Sequence, residues 1–285
     1  MEVIEKVDEI QDRCRGYRQA GKILALVPTM GFFHEGHLEL MRAGKRLADL
    51  LIVSIFVNPT QFGPHEDLAQ YPRDLEGDLK KAAEVGVDIA FVPSPEEMYP
   101  EGFQTTVAVR GLSEYLCGLS RPGHFEGVTT VVAKLFHITG PHIAVFGQKD
   151  YQQLTVITRM VRDLNMDIRI VGVPTVREPD GLARSSRNAY LTPEQRASAP
   201  CLKKALDLAR EMVVGGEKRS AVIGKAVEKL ILSHPHTEID YVNLCHPDTL
   251  EEVENVEEET LLALAVRVGK TRLIDNCLLN RGGKV

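Results

Sequence analysis

The chain reads as an α/β protein: a doubly wound parallel sheet, then a smaller C-terminal α+β domain of helices and a three-stranded antiparallel sheet. Three observations predict this. Apolar runs alternate with helical patterns over the first 175 or so residues. Several of those runs are continuous Val, Ile, Leu and Phe, the pattern of strands covered on both faces. After Val176 the texture changes to two helical stretches followed by three closely spaced strands. The expected division is therefore 1–175 and 176–285.

The elements follow in order. Strands are expected at Ile23–Pro28, Leu50–Val57, Ile89–Pro93, Thr105–Val109, Ile143–Phe146 and Ile168–Val173. Between them, helical periodicity runs over Leu38–Ala48, Leu75–Glu84, Thr129–Ile138 and Tyr151–Leu164; in the last, Leu154, Ile157, Val161 and Leu164 form one 3.6-residue stripe. Strand–helix alternation of this kind gives a parallel, Rossmann-like sheet whose ligands sit beyond the C-terminal strand ends. In the second domain, helices are expected from Pro193 to about Val214 and from about Ser220 to Ser233. Strands are expected at Ile239–Cys245, Leu261–Val268 and Arg272–Leu279, and the tight Val268-Gly269-Lys270 connection points to an antiparallel meander. Residues 58–74 and 116–127 carry turn formers without a clean period, as binding loops and lids do.

Composition sets the class. Hydrophobic residues at 44% and charged residues at 26% describe an ordinary globular protein with a sizeable core. A net charge of −6 argues against a surface built for nucleic acid or acidic membranes. The five cysteines are scattered and odd in number, and no signal peptide or long apolar span is evident, so the expected compartment is reducing cytoplasm.

The richest stretch is Pro28-Thr29-Met30-Gly31-Phe32-Phe33-His34-Glu35-Gly36-His37, between the first long strand and its helix. A helix start offers backbone N–H groups and the positive end of a dipole, so anions settle there. Gly36 permits close approach of a ligand, and two imidazoles can donate to phosphate oxygens. A zinc site is disfavoured: the protease pattern spaces its histidines four apart within a helix, whereas these are three apart around Gly36. Two idle loop histidines remain the plain alternative.

Two further segments are cationic. In Gly147-Gln148-Lys149-Asp150, Asp150 with Gln153 three later reads equally well as a helix cap or as part of a ligand site. The cap alone leaves Lys149 at a helix N-terminus that disfavours it. Arg184-Ser185-Ser186-Arg187 flanks two hydroxyls with two guanidinium forks suited to phosphate, although alone it would pass for a polar linker.

Together these segments resemble the pantothenate synthetases (pantoate–β-alanine ligases), a family of H-x-G-H nucleotidylyltransferases. The resemblance rests on Pro28–His37, Phe56-Val-Asn58-Pro-Thr-Gln61-Phe, Tyr71-Pro-Arg-Asp, Arg121-Pro-Gly-His124-Phe, Phe146-Gly-Gln-Lys149-Asp150-Tyr-Gln-Gln153 and Ser185-Ser186-Arg187-Asn188, in the family's order. It implies ATP-dependent joining of (R)-pantoate to β-alanine through a pantoyl adenylate, releasing AMP and pyrophosphate. It implies catalytic roles for His34, His37, Lys149 and Arg187. ATP would be held by Pro28, Met30, Gly31, His34, Gly36, His37, Gly147, Gln148, Lys149, Asp150, Val176 and Arg184–Arg187. Gln61 would meet pantoate and β-alanine, Gln153 pantoate, and Asn58, Arg121 and His124 would lie on the substrate side. The resemblance further implies a homodimer, magnesium with ATP, and a C-terminal domain closing over the nucleotide, with no nucleic-acid or membrane partner. Two departures stand out. Arg184 occupies a position where the family commonly has Met, and the acidic residues nearest the magnesium region are Glu76 and Asp78 around Gly77, of which Asp78 is assigned to the metal. The rival reading is another H-x-G-H nucleotidylyltransferase that stops at a stable nucleotide conjugate.

Overall fold

The computed structural model describes residues 1–64 and 66–280 and divides into two compact units. The first holds Met1–Ser113, Arg121–Gln148 and Gln153–Pro174. The second holds Thr175–Val285 together with two excursions of the chain, Glu114–Ser120 and Lys149–Gln152.

The elements up to residue 173 are β1 (Glu2–Ile4), α1 (Val7–Gln19), β2 (Leu24–Thr29), α2 (Glu35–Leu47), β3 (Leu50–Ile55), α3 (Leu75–Val85), β4 (Ile89–Phe91), α4 (Pro95–Met98), α5 (Cys117–Ser120), α6 (His124–Thr139), β5 (Ile143–Gly147), α7 (Tyr151–Asp163) and β6 (Arg169–Val173). The sheet is parallel throughout, in the order β1-β4-β3-β2-β5-β6. The doubly wound expectation is met, and the order reverses between β2 and β5, where such sheets bind ligands. In β2 the side chains divide by parity. Leu24 and Leu26 join a core with Ile10, Ile52, Phe91, Val132 and Ile157, while Ala25 and Val27 join another with Met41, Val53, Ala82 and Val145. Both faces are buried, which is why the sequence shows an unbroken apolar run there.

Two elements have little sequence signal. β1 is a three-residue edge strand paired only with β4, and α1 is mostly polar, with only Ile10 and Cys14 buried. Thr105–Val109 corrects an expectation, because no strand forms there. Val107 and Val109 do pack on the core, but the main chain of Val107 pairs with α6 side chains. Its N–H donates to Thr130 Oγ1 (2.9 Å), and its carbonyl accepts from Thr129 Oγ1. α6 itself begins at His124, five residues before the expected start, after Gly123 in the left-handed region (φ 81°).

The second unit contains α8 (Pro193–Ser198), α9 (Cys201–Val214), α10 (Ser220–Leu232), β7 (Thr237–Cys245), β8 (Glu259–Val268) and β9 (Thr271–Asn280). The three strands form the expected antiparallel meander, β7-β8-β9. The single helix expected from Pro193 is two, because Pro200 has no N–H to continue α8. Leu202, Leu206, Ala209, Ile223, Val227 and Ile231 of α9 and α10 pack on Leu262, Leu264, Val266 and Leu273 of the sheet. Arg177 anchors the unit's connector to the sheet by a two-pronged pair with the buried Asp275 (2.6 and 2.9 Å).

Candidate functional site

The centre of the first unit's site is the turn from β2 to α2. Gly31 (φ 82°) and Phe32 (φ 54°) both adopt positive φ, which costs a bulky side chain energy unless something holds it. Gly31 is glycine for a second reason: a Cβ there would lie 2.9 Å from Asp78 Oδ2 and 3.1 Å from the Ile55 side chain. Thr29 Oγ1 donates to the Ser54 carbonyl (2.6 Å), tying the end of β2 to β3.

His34 is the N-cap of α2. Its Nδ1 accepts the Gly36 N–H (3.1 Å), and His37 Nδ1 accepts the His34 N–H (3.3 Å), so the two histidines form a reciprocal cap. Their rings stack with centroids 4.1 Å apart. Because each Nδ1 accepts a backbone proton, each neutral ring carries its own proton on Nε2. Two N–H groups open to an anion by sequence thus have internal partners. What the turn offers a phosphate is the pair of Nε2–H donors together with the helix dipole.

Asp78, on α3, is 1% exposed and accepts from both the Phe32 N–H and the Phe33 N–H, each at 2.6 Å. Burial pushes its carboxyl above the ordinary aspartate range, against the pull of those two donors and of the Lys81 charge. Its expected magnesium role meets this geometry poorly, since both oxygens are already committed. Among the described residues no group of three His, Cys, Asp or Glu side chains could hold a metal ion. Among the described residues, then, no dedicated cage of protein ligands for magnesium forms.

Beside the turn, Met30, Asn58 and Gln61 come together. Gln61 Nε2 lies 2.9 Å from Met30 Sδ, and Asn58 Nδ2 donates to Gln61 Oε1 (3.3 Å) and to the Gly127 carbonyl (3.0 Å). Tyr99 Oη donates to Asn58 Oδ1 (2.8 Å). Asn58 is 1% exposed, so its amide serves to orient Gln61. Arg121 and His124 support the same residue from behind. His124 Nδ1–H donates to the Gln61 carbonyl (2.8 Å), which leaves Nε2 to accept from Arg121 (2.9 Å). Arg121 in turn grips Glu66 through two bonds, at 2.8 and 2.5 Å. Burial opposes the Glu66 charge, but the Arg121 bonds outweigh it and hold that carboxyl below its ordinary value. Pro28 lies within β2, Gly147 ends β5 and Gln148 follows it, and Gln153 is half-buried on α7.

In the second unit Lys149 Nζ pairs with the adjacent Asp150 carboxylate (3.1 Å), and Asn276 Nδ2 donates to the Lys149 carbonyl (2.9 Å). Val176 and Arg184 meet through the main chain, the Arg184 N–H donating to the Val176 carbonyl (2.9 Å). Ser185 caps a 3₁₀ turn, Ser186–Tyr190, by accepting the Arg187 N–H (3.3 Å), and Ser186 is buried. Asn188 pins this turn to the Ala183 carbonyl (3.1 Å) and to Glu178 (3.2 Å). Sequence reasoning missed Glu66, Lys81, Tyr99 and Asn276, which act on main chain or on other side chains. Only the Asp78-x-x-Lys81 spacing, one helix face turned to one turn, carried a usable signal.

A switch-point turn with two Nε2–H donors at a helix start defines an α/β protein built to hold a phosphorylated ligand. The comparisons narrow that class. The model of the pantoate-beta-alanine ligase family matches residues 2–278, and the chain belongs to that family. It is 59% identical over 279 residues to the pantothenate synthetase of Syntrophobacter fumaroxidans, covering 98% of this chain and 99% of that protein. The Geobacter sulfurreducens enzyme is 56% identical with the same coverage. Among solved structures, pantothenate synthetase from Thermus thermophilus superposes with a TM-score of 0.92 at 45% identity, covering 97% of this chain and 99% of that one. The Francisella tularensis pantoate-beta-alanine ligase, complexed with beta-gamma ATP and beta-alanine, gives 0.81 at 32% identity, covering 98% and 97%.

Proposed function

We propose that this ATP-dependent ligase joins (R)-pantoate to β-alanine in two half-reactions. A carboxylate resists amine attack because oxide would have to leave. In the first step a pantoate carboxylate oxygen attacks the ATP α-phosphorus, and pyrophosphate leaves. In the second, the β-alanine amine attacks the acyl carbon of the pantoyl adenylate, AMP departs with the bridging oxygen, and the amine's proton is lost to solvent. Neither step needs a protein nucleophile; both need charge neutralisation and alignment.

The observation that carries this reading is the His34–His37 cap, whose tautomers present Nε2–H donors at the start of α2. These would stabilise the charge on the phosphates as the α-phosphorus is attacked. Pro28, Met30, Gly31, Gly36, Gly147 and Gln148 are the first unit's remaining nucleotide contacts. Gln61, held by Asn58 and by the His124–Arg121–Glu66 chain, is assigned to pantoate and β-alanine, and Gln153 to pantoate. Lys149, Asp150, Val176, Arg184, Ser185, Ser186 and Arg187 of the second unit are assigned to ATP on the family resemblance. Magnesium is read as entering with the triphosphate, and no step is routed through it.

Five free, buried cysteines accord with a reducing cytoplasm, and the family resemblance with a homodimer. Among the described residues no helix is long and apolar enough to cross a membrane. The test is protein mixed with ATP, magnesium and (R)-pantoate without β-alanine. Pyrophosphate and an acyl-AMP should appear, then pantothenate and AMP once β-alanine is added. A stable nucleotide conjugate that β-alanine does not consume would favour the rival reading.

A further inference from the structure

Asp78 and Lys81 lie one turn apart on α3 and reach the same residue of the β2–α2 turn, Phe33, from its two main-chain sides. Asp78 accepts the Phe32 and Phe33 N–H groups, both at 2.6 Å, and Lys81 Nζ donates to the Phe33 carbonyl (2.9 Å). Phe33 is the residue before His34, so its two main-chain polar groups are fixed by one helix at the point where α2 begins. α3 does not need Asp78 for its own cap: Asp74 already accepts the Gly77 N–H (3.1 Å).

The turn needs such a hold. Phe32 sits at φ 54° beside Gly31 at φ 82°, a conformation that persists only when its surroundings enforce it. Successive N–H groups in such a turn converge on one point and ordinarily make an anion nest. Here the anion is a side chain of the protein, buried to 1%.

We propose that Asp78, backed by Lys81, is a positioning residue for the adenylation half-reaction: it fills the nest as an internal anion, fixes the Phe32–Phe33 main chain and thereby aims the His34–His37 pair. It is not a magnesium ligand. The inference rests on the two-step reading above. It adds that the Phe32 and Phe33 N–H groups are withdrawn from ATP, so at this turn the phosphates are met by the His34–His37 imidazoles rather than by that nest.

The experiment uses Asp78→Asn, which keeps the size but sets an amide donor against one of the two N–H groups, and Lys81→Met, which removes the bond to the Phe33 carbonyl. Single-turnover pyrophosphate release from ATP and pantoate should fall roughly 10- to 100-fold in Asp78→Asn, as expected for loss of alignment, and about 3- to 10-fold in Lys81→Met. Conversion of supplied pantoyl adenylate and β-alanine to pantothenate should be unchanged, as should the magnesium concentration for half-activation. Thermal unfolding checks folding; if Asp78→Asn does not fold, Lys81→Met decides by the same readouts. Wild-type rates in both variants would overturn the proposal. So would recovery of Asp78→Asn at raised magnesium, which would make Asp78 a metal ligand. If the unaltered protein itself releases no pyrophosphate, the two-step reading fails instead, and the two failures are told apart.

Discussion

Gly127→Ala is the smallest change that should separate positioning of the acid substrate from binding of ATP. Gly127 lies on α6 where that helix crosses the 3₁₀ turn Pro59–Gln61. A Cβ at this position would stand 2.5 Å from the Thr60 carbonyl oxygen and 2.7 Å from Gln61 Cα, both main-chain atoms. Ordinary contact begins at 3.4 Å, so turn and helix must part by about 0.9 Å. The Gly127 carbonyl also accepts from Asn58, the residue that orients the Gln61 amide, so the displacement reaches that side chain by two routes. Overpacking of this kind costs about 1–3 kcal/mol of stability. A shift near 1 Å in a positioning group costs on the order of 10²-fold in rate. We expect kcat/KM for pantoate to fall by about that factor while KM for ATP stays within about twofold, because the His34–His37 cap is held by the main chain of its own helix start. Steady-state kinetics with each substrate varied in turn, alongside urea unfolding, reads both quantities. Unchanged kinetics for pantoate in a destabilised protein would refute the claim that this contact sets Gln61.

Other perturbations give equally definite outcomes. His34→Asn keeps an acceptor for the Gly36 N–H but loses the Nε2–H donor, so the melting temperature should hold while adenylation drops roughly 10²- to 10³-fold, as for removal of a charge-stabilising donor; equal loss of both would contradict the division of labour between the two ring nitrogens. Glu66, held below its ordinary range by Arg121 against the effect of burial, contributes stability that is complete above the unfolded carboxylate value and lost as pH falls through the lowered folded value. Arg121→Met should therefore flatten the acid limb of a stability-versus-pH curve, a result readable by thermal unfolding from neutral to acid pH. Arg177→Met strands the buried Asp275 carboxylate and should cost about 3–5 kcal/mol in urea denaturation.

How much could be read from the sequence depended on the range of the interaction. β2, β3 and β5 were legible because both faces are buried and the run is uninterrupted, and the meander because Gly269-Lys270 closes a tight turn. The position of His34 and His37 at a helix start followed from local order alone. Their mutual capping did not, since it depends on rotamers that no spacing specifies. Thr105–Val109 shows the converse: alternating valines pack as in a strand, yet the Thr129 and Thr130 hydroxyls take the main-chain bonds that a neighbouring strand would have made. The magnesium expectation for Asp78 comes from the family resemblance, which associates acidic residues after the Tyr71-Pro-Arg segment with the metal region. The contacts of Asp78 lie 45 and 46 residues away in sequence, and only the fold brings the Phe32–Phe33 peptide to it.

The route of one oxygen atom tests the central claim most directly. Pantoate labelled with ¹⁸O in both carboxylate positions is converted with ATP and β-alanine, and the products are weighed by mass spectrometry. Attack of the carboxylate on the α-phosphorus requires one label in AMP and one in the pantothenate amide carbonyl. Label in the pyrophosphate, or AMP free of label, would contradict the adenylate route and with it the roles given to His34 and His37.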